Sequence, residues 1–141
     1  MLAQRRVPKH EYYAAILNDR ARQTPVLVTS AQGGMNIEDV AKSNPEAIIT
    51  TPINFEKGLT HGEGVELAQK LGFKTQQSQR DAADTFVKLY KIFKDKDATQ
   101  IEINPMAETE DGAVLWYVNI HNSASFATIK PFEQYGCQVW L

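Results

Sequence analysis

Ile101-Glu102-Ile103-Asn104-Pro105 alternates β-branched apolar residues with polar ones and then meets a proline. Such an alternation predicts a strand with a dry face and a polar face, and Pro105, which has no N–H to donate, is expected to stop its ladder. The residues just upstream follow a different period. Phe86, Leu89, Tyr90 and Phe93 recur at i, i+3, i+4 and i+7, which predicts a helix from about Asp81 to Phe93 with one buried stripe. A half-buried helix running into a half-buried strand requires a mixed β/α domain.

The remaining elements fit that frame. Glu11 to Asp19 and Thr24 to Ser30 read as two strands joined by the polar Arg20-Ala21-Arg22-Gln23, a connection of hairpin length. Asn36 is placed to cap a short helix, with Ile37, Val40 and Ala41 facing inward. Ala47 to Thr51 reads as a strand ended by Pro52. Gly62 to Leu71 reads as a helix with Val65, Ala68 and Leu71 inward and Gly72 as its stop. After Ile101 to Asn104, Asp111-Gly112 turns the chain into Ala113-Val114-Leu115.

Composition excludes several classes of function. A formal charge of −2 over 141 residues leaves no basic footprint for nucleic acid. No apolar run approaches the roughly 18–20 residues that span a bilayer. Cys137 is the single cysteine and has no internal partner, so a reducing compartment is expected. Met1-Leu2-Ala3-Gln4-Arg5-Arg6 is too short for a signal or transit peptide.

Chemistry concentrates at the end of the Ile101 strand. Glu102 and Asn104 lie two residues apart and so share a strand face, giving two oxygen donors of the kind that hold Mg²⁺ partly through nucleotide phosphates. An asparagine hydrogen-bonding ahead of a proline turn accounts for the same residues, and spacing alone leaves both readings open. Gly33-Gly34 lacks the flanking glycines or the Gly-Lys-Ser/Thr that make a phosphate loop specific, and reads as a turn needing positive φ. His10, His61 and His121 have no metal-ligand spacing and read as solvated side chains. Cys137 has no neighbour that would lower its pKa and is given no nucleophilic role.

At these residues the chain resembles the β subunit of succinyl-CoA synthetase (succinate–CoA ligase). The family's run there is E-[IV]-N-P-x-x-E-T-x-x-G. The likeness extends through Ala3-Gln4-Arg5-Arg6, Lys9-His10-Glu11-Tyr12-Tyr13, Pro25-Val26-Leu27-Val28, Gln32-Gly33-Gly34, Asn36-Ile37-Glu38-Asp39-Val40 and Lys88-Leu89-Tyr90. It looks closer to the ADP-forming, mitochondrial type than to the GDP-forming type. The resemblance implies an α+β fold: the second half of an ATP-grasp domain, a mostly antiparallel sheet with helices packed on one face. It implies a ligase of the citric acid cycle, interconverting succinyl-CoA, ADP and phosphate with succinate, CoA and ATP in the mitochondrial matrix. The cofactors would be Mg²⁺ and ATP or ADP. The partner would be an α subunit that binds CoA and carries the phosphohistidine, with neither nucleic acid nor membrane involved. Carried over by position, Asn104 matches the family's Mg²⁺-binding asparagine and Glu102 the glutamate that meets the phosphohistidine.

The chain also departs from the family. The nucleotide-binding lysine, the glycine-rich segment, the adenine-contacting hinge and the C-terminal domain are expected to be missing, and Gln4 replaces a usual glutamate. The family's metal-binding aspartate should follow Asn104 by fourteen positions, which falls on Val118, and an isopropyl group cannot ligate Mg²⁺. This chain alone is therefore expected to be inactive. From Trp116 to Leu141 only Lys130 and Glu133 are charged, where the family has an aspartate- and arginine-rich run. Two segments are expected: an ATP-grasp fragment over residues 1–115 and an atypical tail over residues 116–141. Trp-Tyr-Val can be encoded only as TGG-TAY-GTN, which contains a 5′ splice-site-like GTAYGT, so the tail reads as translated intron. It is expected to add at most an irregular edge strand from Leu115 to Ile120, leaving Trp116, Tyr117, Phe126, Trp140 and Leu141 at risk of exposure.

Overall fold

The computed structural model describes residues 8–121, the last five through their backbone. Five strands form one sheet in the order β3-β2-β1-β4-β5, and every neighbouring pair is antiparallel. They are β1 (Pro8–Asp19), β2 (Thr24–Ser30), β3 (Ile48–Pro52), β4 (Gln100–Thr109) and β5 (Val114–His121). Three helices interrupt them: α1 (Ile37–Ser43), α2 (His61–Leu71) and α3 (Gln76–Asp95). This is the α+β architecture expected.

The core lies between one sheet face and the α2–α3 pair. Ala14 and Ile16 of β1, Leu27 of β2, and Ile101, Ile103 and Met106 of β4 meet Leu67, Leu71, Phe86, Leu89 and Phe93 of the helices. Phe86 and Ile101 are both fully buried. Burying a side chain of that size stabilises by about 1.5–3 kcal/mol, so this layer is the main source of cohesion.

Local signals position the helices. The Asn36 side chain accepts from Glu38 N–H at 2.9 Å and starts α1. Thr60 and Glu63 form a reciprocal capping box at the start of α2, and Gly72 ends that helix at φ +96°. Thr75 and Ser78 do the same for α3, which begins at Gln76 rather than near Asp81. The polar Gln76-Gln77-Ser78-Gln79-Arg80 shows little apolar periodicity, so its two-sided cap carries the start of the helix.

The structure corrects the expected role of Pro105. Strand β4 runs through it to Thr109. Ile103 pairs with Ala14, and the next pair is Met106 with Tyr12, so Asn104 and Pro105 together oppose Tyr13. This is a β-bulge, and the residue without an N–H sits in the gap of the ladder rather than at its end. The Asn104–Pro105 peptide is cis.

Trp116 is also corrected. It is buried against the core rather than exposed. Strand β5 extends past the tail boundary as far as His121. The side chains of Tyr117, Phe126, Trp140 and Leu141, together with Cys137, Gln4 and the Ala3–Arg6 stretch, lie outside the described residues.

Candidate functional site

The bulge sets Asn104 free of the ladder, and its side chain reaches the loop that follows β2. Asn104 Oδ1 accepts from Gly34 N–H at 2.9 Å, and Nδ2 donates to the Met35 carbonyl at 3.1 Å. A donor on one side and an acceptor on the other fix which amide atom is the oxygen. The clasp joins residues about seventy positions apart.

Both glycines of the loop are required by geometry, each for its own reason. Gly33 N–H donates to Glu11 O at 2.9 Å. A Cβ on Gly33 would stand 2.4 Å from the Tyr12 backbone N and O, so the loop can lie this close to β1 only without a side chain. Gly34 has φ +69°, the positive φ expected of this pair. A Cβ there would stand 2.2 Å from Glu11 Oε2, so the Glu11 carboxylate lies directly against the clasped loop.

Glu102 is half-buried two residues before Asn104, paired with Ala15 on one side and Asn119 on the other. Gln100 Nε2 donates to it at 3.5 Å. Glu11, Tyr13 and Ala15 alternate along β1, so Glu11, Tyr13 and Glu102 share the sheet face opposite the α2–α3 layer. Tyr13 is buried, and burial, with the charge of Glu102 second, pushes its phenol far above the ordinary range. Glu11 is the functional candidate that sequence reasoning did not single out. Its alternation with Tyr13 and Ala15 was the available signal, but the loop it touches is distant in sequence.

The register pairs Val118 with Ile103, whose side chain is in the core, while Glu102 has Asn119 across from it. The three histidines lie on β1, α2 and β5, and His61 Nε2 meets Asp84 Oδ1 at 3.2 Å.

On the helix-covered face, directly behind this loop, Tyr12 stacks on Phe73 with ring centroids 4.0 Å apart and planes at 19°. Its hydroxyl donates to Oε2 of the buried Glu108 at 3.4 Å. Burial first, then the charge of Glu108 and its hydrogen bond, push the Tyr12 phenol up to about 12, so it remains a donor at neutral pH.

A Mg²⁺ ion asks for hard oxygen donors with water and phosphate completing the octahedron. Asn104 Oδ1 keeps a lone pair after accepting from Gly34, and Glu102 supplies a carboxylate on the same face. These donors fit one protein edge of a phosphate-bound Mg²⁺. They do not make a closed cage, since no three His, Cys, Asp or Glu residues gather among the described residues. No described helix is long and apolar enough to cross a membrane.

An antiparallel sheet backed by two helices, with oxygen-bearing side chains on its other face, has a counterpart among nucleotide-dependent ligases. The chain belongs to the ATP-grasp domain family, whose model matches residues 1–108. Within it, the chain is similar to β subunits of ADP-forming succinate–CoA ligase. It is 54% identical over 114 residues to the mitochondrial subunit of Neurospora crassa, covering 81% of this chain and 25% of that one. It is 53% identical over 114 residues to the hydrogenosomal subunit of Neocallimastix frontalis, covering 81% and 26%. Against the mitochondrial subunit of Columba livia the identity is 44% over 135 residues, covering 94% and 32%, a match that extends past Leu115. The chain thus spans between a quarter and a third of the length of these relatives. Among solved structures, ATP citrate lyase from Methanothrix soehngenii, in complex with citrate and coenzyme A, shares the fold. Its TM-score is 0.57 at 21% identity, covering 84% of this chain and 25% of that one.

Proposed function

We propose that this chain supplies the metal- and phosphate-facing half of the nucleotide site in a β subunit of ADP-forming succinate–CoA ligase. The observation that carries the reading is the convergence of Glu102, Asn104, Glu11 and the Gly33–Met35 loop on one sheet face, opposite the α2–α3 layer. Asn104 and Glu102 would hold Mg²⁺, which when bound neutralises charge on the transferred phosphoryl group. Glu102 would also meet the phosphohistidine of an α subunit that carries CoA. The Gly33–Met35 loop, clasped by Asn104, keeps the asparagine oxygen in place before any ligand arrives, so little ordering is left to be done on binding. The reaction served would be succinyl-CoA plus ADP plus phosphate to succinate, CoA and ATP, in the mitochondrial matrix, in keeping with the mitochondrial and hydrogenosomal relatives.

A second reading is a binding module that pairs with an α subunit without turnover, favoured by Val118 at the position of the family's metal-binding aspartate. The two separate on reconstitution with a cognate α subunit. Succinate-dependent CoA-thioester formation supports the first, and a stable complex without turnover supports the second. Calorimetric titration with ADP tests the site itself. Binding should tighten about tenfold when Mg²⁺ is added, and Asn104→Leu should abolish that enhancement. ADP binding indifferent to Mg²⁺ would refute the metal assignment.

A further inference from the structure

We propose that Tyr12 and Glu108 are positioning residues for the Asn104 clasp: a buried pair on the helix-covered face that fixes where the loop on the opposite face stands. The proposal deepens the metal-and-phosphate reading in its consequence, but its geometry stands without it.

Tyr12 is the residue through which the two faces communicate. Its backbone is the surface against which Gly33 packs, and the neighbouring Glu11 carbonyl holds Gly33 N–H. Its side chain points the other way, stacked on Phe73, just past the end of α2. Its pairing partner is Met106, the first residue after the bulge, while Ile103 before the bulge pairs two positions away at Ala14. Whatever anchors Tyr12 therefore fixes where β4 resumes its register, and with it the exit point of Asn104. The anchor is the hydrogen bond to Glu108, two residues further along β4 on the same face. A buried carboxylate needs a donor, and a buried phenol that stays protonated is one. Tyr12 thus ties β1 to β4 immediately beyond the bulge, and Asn104 ties β4 to the loop immediately within it.

A merely structural role would weaken the whole sheet evenly, whereas a positioning role acts on the clasp first. The test is amide hydrogen exchange of the full 141-residue chain, read at Gly34 and at the β2 amides of Leu27 and Val28. Tyr12→Phe keeps the ring stack and removes the donor, and Glu108→Gln keeps the volume and removes the charge. Each should speed exchange at Gly34 about fivefold, the effect of loosening one ordinary hydrogen bond, with Leu27 and Val28 unchanged. The double variant should add little to either single one. Unchanged Gly34 exchange in both variants overturns the proposal, and so does equal acceleration at Gly34, Leu27 and Val28. In parallel, Mg²⁺-dependent ADP binding is measured on the unmodified chain. Its absence defeats the nucleotide reading while leaving the exchange result to decide the positioning role.

Discussion

Substituting Gly33 by alanine should damage this protein far more than a single methyl group suggests. The added Cβ would stand 2.4 Å from two Tyr12 backbone atoms, where ordinary contact begins at 3.4 Å, so strand and loop must part by about 1 Å. The atoms in the way are backbone and cannot rotate aside. A shift of that size stretches the 2.9 Å bond from Gly33 N–H to Glu11 O beyond hydrogen-bonding range and pulls on the Asn104 clasp. Overpacking costs about 1–3 kcal/mol and a lost hydrogen bond about 1 kcal/mol, so Gly33→Ala should destabilise by about 2–4 kcal/mol. Urea denaturation followed by circular dichroism measures this. Gly62→Ala is the internal control, because a Cβ there meets nothing within 4 Å in the first turn of α2. It should be neutral or stabilise by up to ~1 kcal/mol. Finding Gly33→Ala within about 0.5 kcal/mol of the parent chain, the range of an ordinary surface substitution, would refute the close approach of loop and strand.

Two further predictions rest on caps and phenols. Thr60→Ala removes the α2 capping box and should cost about 1 kcal/mol at pH 7, seen in thermal unfolding. Hydrogen bonds from Thr60 hold the Glu63 carboxyl below its ordinary range. That contribution is present above the usual carboxylate pKa and is lost as pH falls through the lowered value, so the gap between variant and parent should narrow in acid. Unequal melting gaps at pH 7 and pH 3 are the expected result. Tyr12, Tyr13 and Tyr90 all have raised phenol pKa values, so an absorbance titration should show them ionising after a free tyrosine. For Tyr12 the stabilisation is complete below the unfolded value near 10 and is lost as pH rises through about 12. Tyr12→Phe should therefore soften the alkaline unfolding transition.

Much of the fold was legible because its signals are local. The stripe Phe86, Leu89, Tyr90 and Phe93 found α3, Asn36 found the start of α1, and Gly72 found the end of α2. The first turn of α3 was hidden because Thr75 caps it with Ser78, a pair outside the usual acidic capping pattern. Pro105 misled for a related reason. A proline forbids a ladder bond at its own position, but only the partner strand decides whether the ladder resumes afterwards. Glu102 and Asn104 stood out as a same-face pair by spacing, whereas Glu11 and the Gly33–Met35 loop joined them only through tertiary contact. The clasp between Asn104 and Gly34 leaves no periodic trace, since neither residue type predicts the other.

The strand order carries a consequence for how the chain folds. β1 and β2 join by a hairpin, β3 follows through the connection that carries α1, and β4 joins β5 by a tight turn, but the two groups meet only along the β1–β4 ladder. Partners in that ladder are separated by between 83 residues (Leu17 to Gln100) and 101 residues (Pro8 to Thr109). Closing so long a loop is entropically slow, and until it closes β1 is an unpaired edge bearing Tyr12, Ala14 and Ile16. During synthesis β1 and β2 must wait while α2 and α3 are made. The ribosome therefore releases an apolar strand edge well before it releases the strand that covers it. The pairing that closes this long loop is also the one that brings the candidate site together, because the same ladder delivers Asn104 to its loop.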